Sequence, residues 1–264
     1  MKRIERVIVR TPSDSFPEGL THGLLGKPDP ALAKKQHQRY VAAIESDGIP
    51  VTVLPELIEF PDSCFVEDTA IVTDRVAILT NPRFRLRNGE PAKIEATIRS
   101  IYGDRIERID STVTLEGGDV SRVEDHFFIG QSSRTTREGA EQLGRILTKY
   151  GFTYDIVPIA QIKGLLHLTT GSTYLGERTV LGIAPILADP AFESYRRLVV
   201  PEGEEYAANC IRLNNFVLFP EGFPKTEKMV RDAGFEVKTI NVSEIERQDG
   251  GLSCLSLRVP PLMF

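Results

Sequence analysis

Four segments of this sequence read as strand, tight turn, strand, and their recurrence restricts the chain to a repeat architecture: TAIVTDRVAIL (69–79), DVSRVEDHFFIG (119–130), STYLGERTVLGI (172–183) and CIRLNNFVLFP (210–220). Each sets two β-branched or aromatic runs across a polar turn, such as Asp74-Arg75, Glu124-Asp125 or Asn214-Asn215. A helix-like stretch follows each hairpin. Another, Asp29 to Asp47, follows the N-terminal strand with Ala33, His37, Tyr40, Val41 and Ile44 on one face. The helix ends carry their own signals. Asp29-Pro30 is a cap followed by a first-turn proline. Ile94, Ile98, Ile101 and Tyr102 line a helix that Gly103 ends. Thr135 with Glu138 predicts a capping box ahead of Ala140, Leu143, Leu147 and Tyr150, with Gly151 as the stop. Asp189-Pro190 and Pro224 open two shorter helices.

After each helix comes a short strand: VTVLP (51–55), RIERI (105–109), YDIVPI (154–159), RLVVP (197–201) and FEVKTI (235–240). That makes five helix-plus-strand units but four hairpins. Pairing LSLRV (255–259) with RVIVR (6–10) supplies the missing hairpin and closes the two ends into a ring. The expected fold is α/β, with five similar units around a pseudo-fivefold axis, because each half-buried sheet needs neighbours to complete its core. With 264 residues, 41% of them hydrophobic, and no Pro-, Gly- or Ser-rich linker, residues 1–264 read as a single domain.

Between the post-helix strand and the next hairpin lie FPDSCFVED, LEGGD, LHLTTG, YAANC and DGGLSC, one at the same point of each unit. Around an axis these segments converge at its mouth, which brings together Asp68, Glu116, His167 and Cys254. Cys254 follows two glycines that permit unusual backbone angles and close approach of a ligand. Alone it reads as a small buried hydrophobe, and His167 alone as a core or surface histidine. At equivalent points of one repeat they become a nucleophile and its acid/base partner. Glu116 and Asp119 in TLEGGD, with Asp62, Glu67 and Asp68 in FPDSCFVED, are acidic groups beside apolar residues. Loop capping accounts for some of them, Asp119 first. The others form a pocket for a cation, and a planar guanidinium presents a fork of N–H donors that carboxylates hold and orient.

The net charge of −5 comes without a basic block, so nucleic acid and anionic membrane surfaces have little electrostatic attraction to the chain. Met1 to Arg10 is charged where a signal peptide needs an apolar core, and no apolar run is long enough to span a bilayer, so a cytoplasmic protein is expected. Cys64, Cys210 and Cys254 are far apart, lack metal-ligand spacing and cannot all pair within one chain, which predicts thiols in a reducing compartment. Neither a metal nor a cofactor is called for.

Taken in order along almost the whole chain, FPDSCFVED, LEGGD, IGQSSRT, LHLTTG, YAANC and DGGLSCLSLR resemble the dimethylarginine dimethylaminohydrolase family of the guanidino-group-modifying (pentein) superfamily. The resemblance implies a five-bladed α/β-propeller of ββαβ-type repeats, in agreement with the units read above. It implies hydrolysis of Nω-methylated arginines, asymmetric dimethylarginine and monomethylarginine, to citrulline and dimethylamine or methylamine through a covalent thiouronium on the cysteine. Cys254 would be the nucleophile and His167 the general acid/base, with Glu116 and Asp68 holding the guanidinium. Leu20 in EGLTHGLLGKPD would sit on a mobile lid. Asp62, Glu67, Arg87 and Arg134 would bind the amino-acid part, the arginines reaching its carboxylate, and Gln248 would contact it through its backbone. A homodimer is implied in the same way.

This chain departs from the family pattern at Thr69, Gly117, Gln248 and the VPPLMF tail, and Arg83 and Arg85 compete with Arg87 by proximity. Three other readings differ in chemistry. An arginine deiminase would act on plain arginine, but such enzymes generally carry a helical insertion and an arginine where Glu67 stands here. Amidino transfer needs a second amine site. A non-catalytic binding protein for cationic amino acids needs neither Cys254 nor His167.

Overall fold

In the computed structural model, which describes residues 2–263, strands form where the β-branched runs predict them. In chain order they are β1 (Arg6–Arg10), β2 (Val51–Leu54), β3 (Ala70–Val72), β4 (Ala77–Leu79), β5 (Ile106–Arg108), β6 (Val120–Val123), β7 (His126–Gln131), β8 (Thr153–Pro158), β9 (Ser172–Gly176), β10 (Thr179–Gly182), β11 (Arg196–Val199), β12 (Ile211–Arg212), β13 (Val217–Pro220), β14 (Val237–Ile240) and β15 (Leu257–Val259). They make five three-stranded sheets on one plan. An inner strand pairs antiparallel with a central strand, which pairs in parallel with the strand returning after the crossover. Parallel pairing requires a long connection, and the segments between central and returning strands supply it. The fifth sheet is made by the chain ends, β15 antiparallel to β1 with Arg6 opposite Val259, and β1 parallel to β2. The ring closes as the sequence predicts.

The helices are α1 (Pro30–Glu45), α2 (Glu90–Tyr102), α3 (Arg137–Lys149), α4 (Leu168–Gly171), α5 (Ala184–Leu187), α6 (Pro224–Asp232) and α7 (Ser243–Glu246). Asp29 caps α1 by accepting from the Ala31 and Leu32 N–H groups. Ala33, His37, Tyr40 and Ile44 are its buried face. Gly103 ends α2 with a positive φ of 59°, which glycine adopts without cost. The cap of α3 differs from the prediction by one residue: Thr136, not Thr135, accepts from the Gly139 N–H at 3.1 Å. Thr135 is spent in the preceding turn, where its carbonyl accepts from Ser132 and its fully buried hydroxyl accepts from the Glu116 N–H. Asp189-Pro190 opens a single 3-10 turn, Pro190–Phe192, after the short α5, where a short helix is expected.

Side chains from β3, β6, β9, β12 and β15 line one axial chamber, Ile71, Ser121, Tyr174, Arg212 and Arg258 among them. The inner strands therefore surround a common axis, and the fold is a five-unit α/β-propeller. At the chamber's inner end stand Glu67, Gly117, Thr169, Cys210 and Ser253, one from each unit. This floor separates the chamber from a second cavity on the opposite side.

Candidate active site

A short turn of chain precedes each inner strand: Val66–Thr69 before β3, Gly117–Asp119 before β6, α4 before β9, Glu205–Ala208 before β12, and turns after Gly250 before β15. These turns carry the chain from the periphery to the axis and hold one polar side chain each at its mouth: Asp68, Glu116, His167, Asn209 and Cys254, all buried. The turns pack so closely that a methyl group on Gly117 would lie 1.9 Å from the Glu67 carbonyl oxygen, so only glycine fits there.

His167 Nε2 is 2.9 Å from Glu116 Oε2 and 4.0 Å from Asp68 Oδ1. Burial alone would lower the imidazole's pKa, but the carboxylates of Asp68, Asp119 and Glu116 outweigh it and hold it at about 9. Burial would likewise raise Glu116, yet its hydrogen bond to His167 and the charges of His167, Arg87 and Arg134 draw it down to about 2. At neutral pH the pair is an imidazolium against a carboxylate. Asp68 accepts from the Gly118 N–H at 2.9 Å and from Arg87 Nη1 at 2.6 Å. Arg134 approaches Glu116 Oε2 at 3.3 Å and stacks 4.4 Å over the Phe84 ring. Asp119 accepts from the Leu168 N–H and the Ser132 hydroxyl, the turn-holding role expected for it.

Cys254 Sγ accepts from the Gly251 N–H at 3.4 Å and from Asn209 Nδ2 at 3.8 Å. Burial, with Glu67 and Asp68 adding to it, pushes this thiol up to about 12. The loop is held from both sides. Asn209 Oδ1 accepts from the Ser253 N–H, the Cys254 carbonyl accepts from the Glu67 N–H, and the Leu252 carbonyl accepts from the Tyr40 hydroxyl.

Cys254, His167, Asp68, Leu20, Asp62, Arg87, Arg134 and Gln248 line one cavity. Glu116 lies behind it, against His167 and Arg134. Glu67 is not brought to this cavity: its carboxylate accepts from Ser253 Oγ at 2.7 Å and Arg258 Nη2 at 2.8 Å and faces the axial chamber. The reason is local. Neighbours on a 3-10 turn point about 120° apart, so Asp68 and Glu67 cannot share one cavity. Arg87, rather than Arg83 or Arg85, is the buried arginine, and Glu90 holds its Nε and Nη2.

Sequence reading passed over Asn209 and Glu90. Asn209 occupies the repeat position of the fourth unit in YAANC, so the logic that selected the other four positions would have selected it too. Glu90 carries no such signal, because its partnership with Arg87 across one helical turn is set by the loop's fold. Among the described residues, ligand atoms of Asp68, Glu116 and His167 lie within 4.8 Å of one another, a spacing that a metal ion could use. Arg87 and Arg134 already sit against the same carboxylates, and a dication there would face their charge.

The arginine deiminase family model matches residues 57–209. A relative from Pseudomonas aeruginosa, an N(G),N(G)-dimethylarginine dimethylaminohydrolase, is 41% identical over 96% of this chain and 99% of its own length. A second relative of that name, from Streptomyces coelicolor, is 32% identical over 98% of both chains. A solved structure of the Pseudomonas aeruginosa enzyme, a mutant complexed with citrulline, superposes with a TM-score of 0.94 over 97% of this chain and 99% of its own, at 41% identity.

Proposed function

From the membership of this chain in the dimethylarginine dimethylaminohydrolase family we infer its activity: it hydrolyses Nω-methylated arginines to citrulline and dimethylamine or methylamine through a covalent cysteine intermediate. The observation that carries this reading is one cavity in which a cysteine, a cationic histidine and the Asp68 carboxylate meet, with Glu116 behind it against His167. Residues 1–264 act as one hydrolase domain, since that site draws on all five units.

Cys254 is the nucleophile. In the free protein its thiol is protonated, and a guanidinium held by Asp68, with Glu116 behind it fixing His167, puts positive charge beside the sulfur, which favours the thiolate. The thiolate adds to the guanidinium carbon. His167, already an imidazolium, gives its proton to the departing alkylamine nitrogen as the C–N bond breaks, leaving an S-linked thiouronium on Cys254. Neutral His167 then takes a proton from water. The hydroxide adds to the same carbon, the C–S bond breaks, and citrulline leaves. Asn209 and the Gly251 N–H, donors to Sγ at rest, stabilise the thiolate at the start and end of the cycle. Leu20, Asp62, Arg87, Arg134 and Gln248 surround the amino-acid part of the substrate, and Glu67 acts by fixing the cysteine loop. The partner is thus a small guanidino amino acid; a homodimer and a cytoplasmic location belong to the same proposal. No helix among the described residues is long and apolar enough to cross a membrane.

The match to the arginine deiminase family model gives plain arginine as the competing substrate. Citrulline release from arginine, monomethylarginine and asymmetric dimethylarginine, compared as kcat/KM, tests the reading: the methylated substrates should be preferred. A clear preference for arginine would replace methylated arginine by arginine as the substrate. Cys254→Ser should lose turnover with an unchanged unfolding midpoint; substantial residual turnover would remove the thiolate step.

A further inference from the structure

Two side chains on the cavity wall are buried with unused hydrogen-bonding capacity. Gln248 is 2% exposed, and neither Oε1 nor Nε2 of its amide has a partner; Asp62 is 4% exposed, and its Oδ1 has none. Both line the cavity that Cys254 and His167 line. They also face one another's surroundings: a methyl group built on Gly19 would lie 2.1 Å from Asp62 Oδ1 and 2.7 Å from Gln248 Nε2. The other Asp62 oxygen accepts from the Leu20 N–H at 2.9 Å, and the Gln248 backbone N–H donates to Ile245, so both residues are anchored while Asp62 Oδ1 and the two Gln248 amide atoms stay free. Buried polar groups in proteins are nearly always paired, and a cluster of unpaired ones inside a ligand cavity marks the place where a ligand supplies the partners.

We propose that the side-chain amide of Gln248 is a specificity-determining contact for the α-amino-acid head of the substrate, completing with Asp62 a polar socket in the pocket wall. The proposal rests on the hydrolase reading above and adds to it the group that selects an α-amino acid over a bare alkylguanidine. The amide offers what the head needs on both sides. Oε1 accepts from the α-ammonium beside the Asp62 carboxylate, and Nε2 donates to the α-carboxylate. A neutral donor is wanted there because Arg87 spends Nε and Nη2 on Glu90 and Nη1 on Asp68. Arg134 is the remaining cation on that wall.

Gln248→Met keeps side-chain length and removes both hydrogen-bonding atoms, and Gln248→Leu does so with a different shape. The readout is the ratio of kcat/KM for monomethylarginine to that for N-butyl-N′-methylguanidine, which carries the same reacting group and no head. Hydrogen bonds to charged groups of this kind predict that both variants lower the ratio by about 10- to 100-fold, mainly through KM for the amino acid. Equal losses on the two substrates would mean that Gln248 only supports the wall and would overturn the proposal, as would an unchanged ratio. Calorimetric binding of L-citrulline against butylurea, in the wild type and the Met variant, makes the same comparison without turnover. Absence of hydrolysis in the wild type would therefore count against the hydrolase reading, while the binding ratio still decides for or against Gln248.

Discussion

At the scale of single residues, the site keeps both of its reactive groups protonated at rest. Cys254 is held up to about 12 and His167 at about 9, so neutral pH finds a thiol beside an imidazolium. With the thiol near 12, roughly one molecule in ten thousand carries the free thiolate at pH 8. Alkylation of Cys254 by neutral iodoacetamide, followed by peptide mass mapping, should therefore accelerate about tenfold per pH unit from pH 7 to 10 in the free protein. A rate that is flat across that range would mean a preformed thiolate and would contradict the role given to the substrate's charge. Glu67 supports a different expectation. Its carboxylate ties Ser253 and Arg258, one on each side of the cysteine loop, and has no contact with the substrate cavity. Glu67→Gln should lower kcat by about 10-fold or more, as misplacement of a reacting group does, and leave KM within about 3-fold. A rise in KM with kcat unchanged would restore Glu67 to the substrate contacts. The sequence placed Glu67 and Asp68 together because they are adjacent in FVED. What it could not convey is the turn that sends the two carboxylates to opposite sides of the floor.

At the scale of elements, the hairpins and crossovers were legible because their signals are local: period-two runs, polar turns, and caps of Asp, Pro and Gly. The α3 cap shows where that legibility stops. Thr135 and Thr136 are both competent N-caps by type, and the choice between them was made by a tertiary demand, the hydroxyl that the Glu116 N–H requires. The two threonines should separate on mutation. Thr136→Ala removes the cap and should cost about 1 kcal/mol, a drop of roughly 2–4 °C in unfolding midpoint, with kcat/KM unchanged. Thr135→Val leaves a buried backbone N–H without its acceptor next to Glu116, and should lower both the midpoint and kcat. Equal effects of the two substitutions on kcat, measured alongside thermal unfolding, would show that Thr135 does nothing for the site. The remaining irregular pieces, α5 and the four-residue α4, fall below the length at which periodicity identifies a helix.

At the scale of the whole molecule, five crossover units against four hairpins leave one sheet to be completed by the chain ends, and the ring follows. The fifth sheet already assembles from strands at opposite ends of the chain, β15 and β1, with the Glu5 N–H donating to the Val259 carbonyl. A covalent hairpin is therefore not required for an inner and a central strand to pair, because packing against neighbouring units supplies what the missing turn would have given. The two ends also meet in space. Lys2 Nζ lies 3.4 Å from Asp74 Oδ2, and the Met263 N–H donates to the Asp74 carbonyl at 2.7 Å. A circular permutant follows from this: join the ends with about six Gly and Ser residues and open the chain between Glu177 and Arg178. Those two residues form the exposed tip between β9 and β10, and both hold left-handed φ angles of 51° and 53°, so opening there releases strain while breaking no strand. The third sheet would then be the one completed by the chain ends, as the fifth is now. The permutant should unfold in one cooperative transition, with its midpoint lowered by less than about 10 °C. It should also release citrulline within about tenfold of the parent rate, because each of the five turns that carry the site keeps its own flanking strands. If it folds cooperatively but is inactive, His167, five residues before β9, depends on the intact third hairpin for its position. If it does not fold, the ring needs four covalent hairpins, and the units are less alike than their shared strand order indicates.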